Sequence, residues 1–332
     1  MLHVRLIVPA DRSQAVLDVL QASPAVTGLI VLPSAARDPT GDVIECDVAR
    51  EAANGVLAAL RELGIDRTGS IAIEDTAVTL SASADRAAHL APGLGVDAVV
   101  WEEITHKTGQ EIRLSATYLV LLTVATVIAA IGVLLDQPIL IVGAMVVGPE
   151  FGPLAALCVG LVQRRKAAVG RSALALAIGF PAAMAVTVLA TWALTGLGLV
   201  DKSMLLAERP LTDFIWRPDA LSWIIGFLAG VAGMLSITSA RSGALIGVLI
   251  SVTTVPAAAN AAVAIAYWVP HEAIGSAVQL LVNLVAIVAA GIITLMVQRL
   301  WWRRISPPIR VSAVTSTKAQ PTRAKAQTRG RR

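Results

Sequence analysis

Six stretches of about 20 or more residues carry almost no charge, and they constrain the fold more than any other feature. They are Leu114–Leu135, Ile139–Val162, Ala173–Val200, Ala220–Ala240, Ser242–Pro270 and Ala273–Gln298. A run of this length, wound as a helix, crosses the hydrocarbon core of a bilayer while satisfying its own backbone N–H and C=O groups. Glu150 alone interrupts the second run, and little more than Arg241 separates the fourth from the fifth. Composition points the same way. The chain is 56% hydrophobic and 15% charged, with a mean hydropathy of +0.72, whereas soluble domains carry about a quarter charged residues. The expected class is an α-helical polytopic membrane protein with about six transmembrane helices, spanning 114–300.

Lys and Arg set the orientation. "QRRKAAVGR" after the second run, Arg241, and "QRLWWRR" after the sixth fall on one side of a six-span bundle. The other side receives Asp136, "DKSMLLAERPLTDFIWRPD" and "YWVPHE", with three basic and six acidic residues. Both termini are therefore expected in the cytoplasm. "MLHVRLIVPADRSQ" has no long apolar run behind a basic head, so no secretory signal peptide is expected. Abundant arginine and alanine suggest a bacterial, GC-rich source, and hence the plasma membrane. From Arg299 onward there are 10 Lys/Arg and no acid. This basic tail, 301–332, is expected to be disordered and to touch anionic lipid headgroups; nucleic acid is not an expected partner.

The front of the chain is different. Residues 1–113 carry 9 Lys/Arg and 16 Asp/Glu. "LHVRLIV", "VTGLIVLP", "DVIECDV" and "GSIAIED" read as strands, with "SAARDPTG" as a turn-rich connection. "DRSQAVLDVLQAS" reads as a helix capped by Asp11, and "REAANGVLAALRELG" as a helix closed by Gly64. The βαββαβ order over 1–75 suggests a ferredoxin-like or ACT-like domain, a regulatory or oligomerisation module, with a homo-oligomer as one possible state. Residues 76–113 read as a linker ending in an amphipathic helix. Cys46 and Cys158 are too far apart in sequence to suggest a disulfide framework or a metal cluster.

The chemistry is expected where the apolar runs break. "GAMVVGPEFGP", Gly143 to Pro153, places Gly148, Pro149, Glu150, Gly152 and Pro153 inside the second run. A proline inside a helix removes a hydrogen bond, and in lipid the freed carbonyl needs protein or a wet cavity. Pro256 in the fifth run lies beside Ser251, Thr253, Thr254 and Asn260. "LIVGAMVVGPEFGPLAALCVGL" can be laid beside "ALIGVLISVTTVPAAANAAVAI", so the halves form a candidate inverted 3+3 repeat with broken helices two and five. Glu150 at bilayer depth is costly unless protonated, paired or hydrated. It is a candidate proton carrier or cation ligand, or a cap on the half-helix that starts near Phe151. Arg241 is its possible charge partner. Asn283 and Gln279 in the sixth run can hydrogen-bond across helices.

These stretches, together with "IAAIGVLLDQPILIVGAMVVGPEFGPLAALCVGLV" and "LLVNLVAIVAAGI", resemble the bacterial membrane family catalogued as domain of unknown function 389. The likeness covers roughly residues 115–298. It implies architecture and no substrate. In that family's pattern the position of Glu150 is more often apolar, which argues against Glu150 as the essential group of a family-wide mechanism and leaves it as a local cap or a subgroup trait.

The function expected is a secondary transporter or channel for an unidentified small solute or ion. The alternative is a membrane-embedded sensor or scaffold. An intramembrane enzyme is disfavoured: HExxH, paired intramembrane aspartates and membrane histidines are absent from the sequence, no cofactor is implied, and there is no P-loop for a primary pump.

Overall fold

The computed structural model describes residues 1–76, 79–91, 98–111, 114–239 and 246–305. The chain divides into two compact units with the boundary between Ala91 and Pro92.

In the first unit the elements are β1 (Leu2–Val8), α1 (Ser13–Gln21), β2 (Val26–Arg37), β3 (Thr40–Val48), α2 (Arg50–Glu62), α3 (Ile65–Thr68), β4 (Ser70–Asp75) and α4 (Ala82–Leu90). The four strands form one antiparallel sheet in the order β2-β3-β1-β4. Side chains alternate across a strand, and β1 buries Leu2, Val4, Leu6 and Val8 on one face. Val16, Val19 and Leu20 of α1 and Val56, Leu57 and Leu60 of α2 are buried with them. Each such aliphatic side chain contributes roughly 1.5–3 kcal/mol on burial. The element succession follows the expected βαββαβ order, with α3 as an extra turn. Gly64, at φ +72°, takes the left-handed conformation that ends α2. Two details differ from expectation. Asp11 does not cap α1, whose N-cap is Arg12 with no side-chain hydrogen bond. The "SAAR" segment continues β2, because pairing with β3 resumes at Ala36–Gly41, leaving Asp38 and Pro39 between the strands.

The second unit is helical: α5 (Trp101–Glu111), α6 (Ala116–Leu134), α7 (Pro138–Val147), α8 (Phe151–Val162), α9 (Lys166–Gly196), α10 (Lys202–Leu206), a 3-10 turn (Asp213–Trp216), α11 (Ala220–Thr238), α12 (Ile246–Ala266) and α13 (Pro270–Ile305). Among the described residues, α6, α9, α11 and α13 are each long and apolar enough to cross a membrane. The bent pair α7–α8 passes the same test as one unit, giving up to five. Large apolar side chains face outward, including Val124, Leu189, Ile225, Leu228, Leu281 and Val285. Polar side chains such as Thr126, Thr187, Asn260, Ser276 and Asn283 are buried. This inverts the usual arrangement in water and suits an apolar surround.

The bundle is organised around α12, which packs against α6, α7, α9, α11 and α13. From Thr254 to Ala264 its residues are buried on every side. Six alanines in that segment let the neighbouring helices approach closely. Between helices the chain turns sharply. Asp136, Arg164 and Trp268 take positive φ just past the ends of α6, α8 and α12. The next residues then bond back: Gln137 N–H to Gly132 O at 2.8 Å, Arg165 N–H to Gly160 O at 2.8 Å and Val269 N–H to Ala264 O at 2.8 Å. These are Schellman endings built without glycine.

The two expected breaks do not match. α7 and α8 meet at 55° across Gly148–Glu150. Pro149 excludes the helical region for the residue before it, and Gly148 is extended at ψ 124°. Helix five, in contrast, is not broken: α12 runs continuously through Pro256. Its all-round packing holds the helix together where the proline removes a bond. Pro181 is likewise carried inside α9. Among the described residues, therefore, only the first of the two expected breaks is present, and Pro256 is carried inside a helix. The basic segment after α8 is also less of a loop than expected, since Lys166 to Arg171 form the first turns of α9. Arg241 and the basic tail beyond Ile305 lie outside the described residues.

Candidate functional site

Two buried polar clusters flank α12. The first sits at the α7–α8 break. Glu150 occupies the N-cap position of α8, at the positive end of that helix, but its side chain makes no capping hydrogen bond. It is fully buried, and Oε1 accepts a hydrogen bond from Thr254 Oγ1 of α12 at 3.1 Å. The carboxylate folds over Gly148. A Cβ at that position would collide with Glu150 Oε2 and lie 3.2 Å from Val255 Cγ2. Gly148 thus provides the space in which the carboxylate turns toward α12. Gly152 and Pro153 are buried in the first turn of α8, where a missing N–H costs no intrahelical bond. Leu154 N–H already bonds to Glu150 O at 3.3 Å.

The second cluster lies on another side of α12. Arg209, from the connection between α10 and the 3-10 turn, reaches into the bundle and is 4% exposed. Its Nη2 is 2.8 Å from Glu272 Oε1 of α13, and its Nη1 donates to Asn260 Oδ1 of α12 at 3.2 Å. Asn260 Nδ2 donates to Ser276 Oγ at 2.7 Å. Further along α13, Gln279 Nε2 donates to Asn283 Oδ1 at 3.4 Å. Glu272, Ser276, Gln279 and Asn283 are spaced 4-3-4, which puts them on one helix face. Three buried atoms of this cluster have no hydrogen-bond partner among the described residues: Arg209 Nε, Glu272 Oε2 and Gln279 Oε1. A buried donor or acceptor left unmade costs about 1–3 kcal/mol. From Glu272 to Asn283, at 1.5 Å of rise per residue, the file extends over about 16 Å, roughly half the hydrocarbon thickness.

Gly226 and Gly230 of α11 press against α13, and a Cβ on Gly230 would come within 2.6 Å of Ile287 O and 2.8 Å of Ala290 Cβ. Further along the same helix pair, Gln298 Nε2 of α13 donates to Thr238 Oγ1 of α11 at 2.8 Å.

The connection that supplies Arg209 is anchored at several points. Thr212 Oγ1 donates to Asp136 Oδ1 at 2.8 Å, and Ile215 is buried with Val133, Ile141 and Met145. Gly275 lies close to the Trp216 carbonyl, with no room for a Cβ. Asp201 and Asp219 cap α10 and α11. Hydrogen bonds from Ser203 and Ser222, respectively, hold their carboxyls below the usual range.

The residues expected from sequence thus separate into two groups. Gly148, Pro149, Glu150, Gly152, Pro153 and Thr254 gather at the break, while Asn260 and Asn283 belong to the α13 file. Pro256 is buried in α12 between them. Ser251 and Thr253 lie on helical backbone, but their side chains fall outside the described residues, as does Arg241. Sequence reasoning missed Arg209, Glu272 and Ser276. The 4-3-4 polar spacing that begins at Glu272 was the available signal.

A helical unit with an apolar exterior, polar groups turned inward and several helices long enough to span is consistent with a multi-pass membrane protein. Residues 145–289 match the family described as Domain of unknown function (DUF389). The matched segment contains both polar clusters. No curated protein and no solved structure matches the chain.

Proposed function

We propose that this chain is a secondary transporter or channel of the bacterial plasma membrane, moving a small solute or ion along the polar face of α13. The bundle would cross the membrane six times, as α6, α7–α8, α9, α11, α12 and α13, with both termini in the cytoplasm. The single observation that carries the reading is the buried file Glu272–Ser276–Gln279–Asn283, because its partnerless acceptors are costly in a protein that needs them only for packing. Arg209 and its anchored connection would act as the outer gate, and the Gly226–Gly230 constriction as the inner one. Glu150, on another side of α12, would couple movement of the α7–α8 break to α12 through Thr254. The front unit would regulate or oligomerise the whole.

A second reading, a sensor or scaffold without transport, draws support from α12: Pro256 and its alanine neighbours are packed with no exposure. Proteoliposomes loaded with ion-sensitive dyes and labelled small anions separate the two. Transport predicts flux that falls at least tenfold in both Glu272→Gln and Gln279→Leu. Flux unchanged in these variants would remove the α13 file as the pathway, and absence of flux for every solute would favour the scaffold. Unchanged flux in Glu150→Gln would remove Glu150 from the mechanism.

A further inference from the structure

A cavity of about 470 Å³ lies between α5 and the corner where α8 turns into α9. That volume is in the range of ligand sites. Arg165, Lys166 and Arg171 line it, together with an apolar wall that includes Ala156 and Val159 of α8. No carboxylate is among its lining residues, and among the described residues none of the three cations has an ion-pair partner. The cavity is braced where Gln163 Nε2 donates to Thr105 Oγ1 at 3.0 Å, tying α5 to the end of α8. A neighbouring cavity of about 530 Å³ is a poorer anion site. Its Arg299 already donates to Val162 O at 3.0 Å.

Three like charges within seven residues repel one another unless a counter-anion or solvent sits between them. The wall beside them is apolar, which suits an amphiphile better than a free ion. We propose that this cavity binds the phosphate headgroup of an anionic lipid, with the phosphate against Arg165, Lys166 and Arg171 and the first methylenes of the lipid against Ala156 and Val159. Inorganic phosphate shares the anionic chemistry but leaves the apolar wall unfilled. The site rests on the membrane reading above and is independent of transport.

The test uses the full chain purified in detergent. Native mass spectrometry would count bound phosphatidylglycerol against phosphatidylcholine. Each cation beside an anionic headgroup is worth about a factor of five in affinity, so three give on the order of 100-fold. The combined variant Arg165→Gln, Lys166→Gln, Arg171→Gln should therefore lose phosphatidylglycerol by about that factor and keep its phosphatidylcholine adducts. Gly109 also lines the cavity and has open space where a Cβ would be. Gly109→Trp should block the lipid while leaving every charge in place. Retention of phosphatidylglycerol by either variant at the level of the unmodified protein would overturn the proposal. So would its displacement by equimolar inorganic phosphate, which would assign the cavity to the free ion. Flotation with liposomes of both lipids keeps the two readings apart. A protein that fails to enter any liposome refutes the membrane reading, whereas one that enters both with no headgroup preference refutes only this site.

Discussion

The Arg209–Glu272 pair gives the sharpest energetic test of the helical unit. Both side chains are buried, at 3% and 6% side-chain exposure, and they meet at 2.8 Å. Removing one partner leaves an uncompensated buried charge, which costs about 3–5 kcal/mol. Glu272→Ala strands the guanidinium, and Arg209→Ala strands the carboxylate and also removes the donor to Asn260 Oδ1. The combination Arg209→Met, Glu272→Leu takes both charges away and keeps most of the volume. Such replacements are close to neutral or stabilising by 1–4 kcal/mol. Each single variant should therefore lower the unfolding midpoint by roughly 10 °C, using about 2–4 °C per kcal/mol for a unit of this size. The apolar pair should unfold within a few degrees of the unmodified protein. Tryptophan fluorescence in detergent, read against temperature, supplies all the numbers for the cycle. Single variants that cost less than about 1 kcal/mol each and add without coupling would refute the view that this pair is held away from water.

Three further outcomes follow from particular contacts. Gly148→Ala should destabilise by roughly 1–3 kcal/mol, because the new Cβ displaces the Glu150 carboxylate. Gly148→Ala with Glu150→Ala should recover much of that loss in the same melt. Gly230→Ala should cost more than Gly226→Ala, since the first Cβ meets the backbone of Ile287 at 2.6 Å and the second only Ala286 Cβ at 3.2 Å; similar midpoints would refute the tight α11–α13 crossing. In the front unit, burial pushes the Cys46 thiol up to about 12 from its ordinary 9.0, with the Asp47 charge adding to it. The unfolded chain therefore loses this proton first, so its contribution to stability is intact below about pH 9 and is lost as pH rises from there toward 12. Urea midpoints of the isolated thiol's neighbourhood, followed by disulfide-exchange labelling, should fall over that window and be flat in Cys46→Ala.

What could be read from the chain alone was set by local chemistry. Uncharged runs of helical length fix α6, α9, α11 and α13 because the backbone must satisfy itself in an apolar medium. Alternation fixes β1, and a glycine with positive φ closes α2. The break at Gly148 was also local, since a proline acts directly on the residue before it. Pro256 obeys the same rule and yet leaves α12 whole, because packing by five other helices outweighs one lost hydrogen bond. No pattern near Arg209 shows that it enters the bundle. Its partner Glu272 is 63 residues away, and an arginine and a glutamate in polar connections read as solvated charges. Glu150 was marked by its isolation in an apolar run, but its partner Thr254 lies 104 residues further on. Tertiary structure alone decided that the carboxylate faces α12 instead of capping α8, and that Asn260 and Asn283 belong to a separate file. Period and propensity act over a few residues, whereas which polar groups meet in an apolar interior depends on how whole helices are stacked.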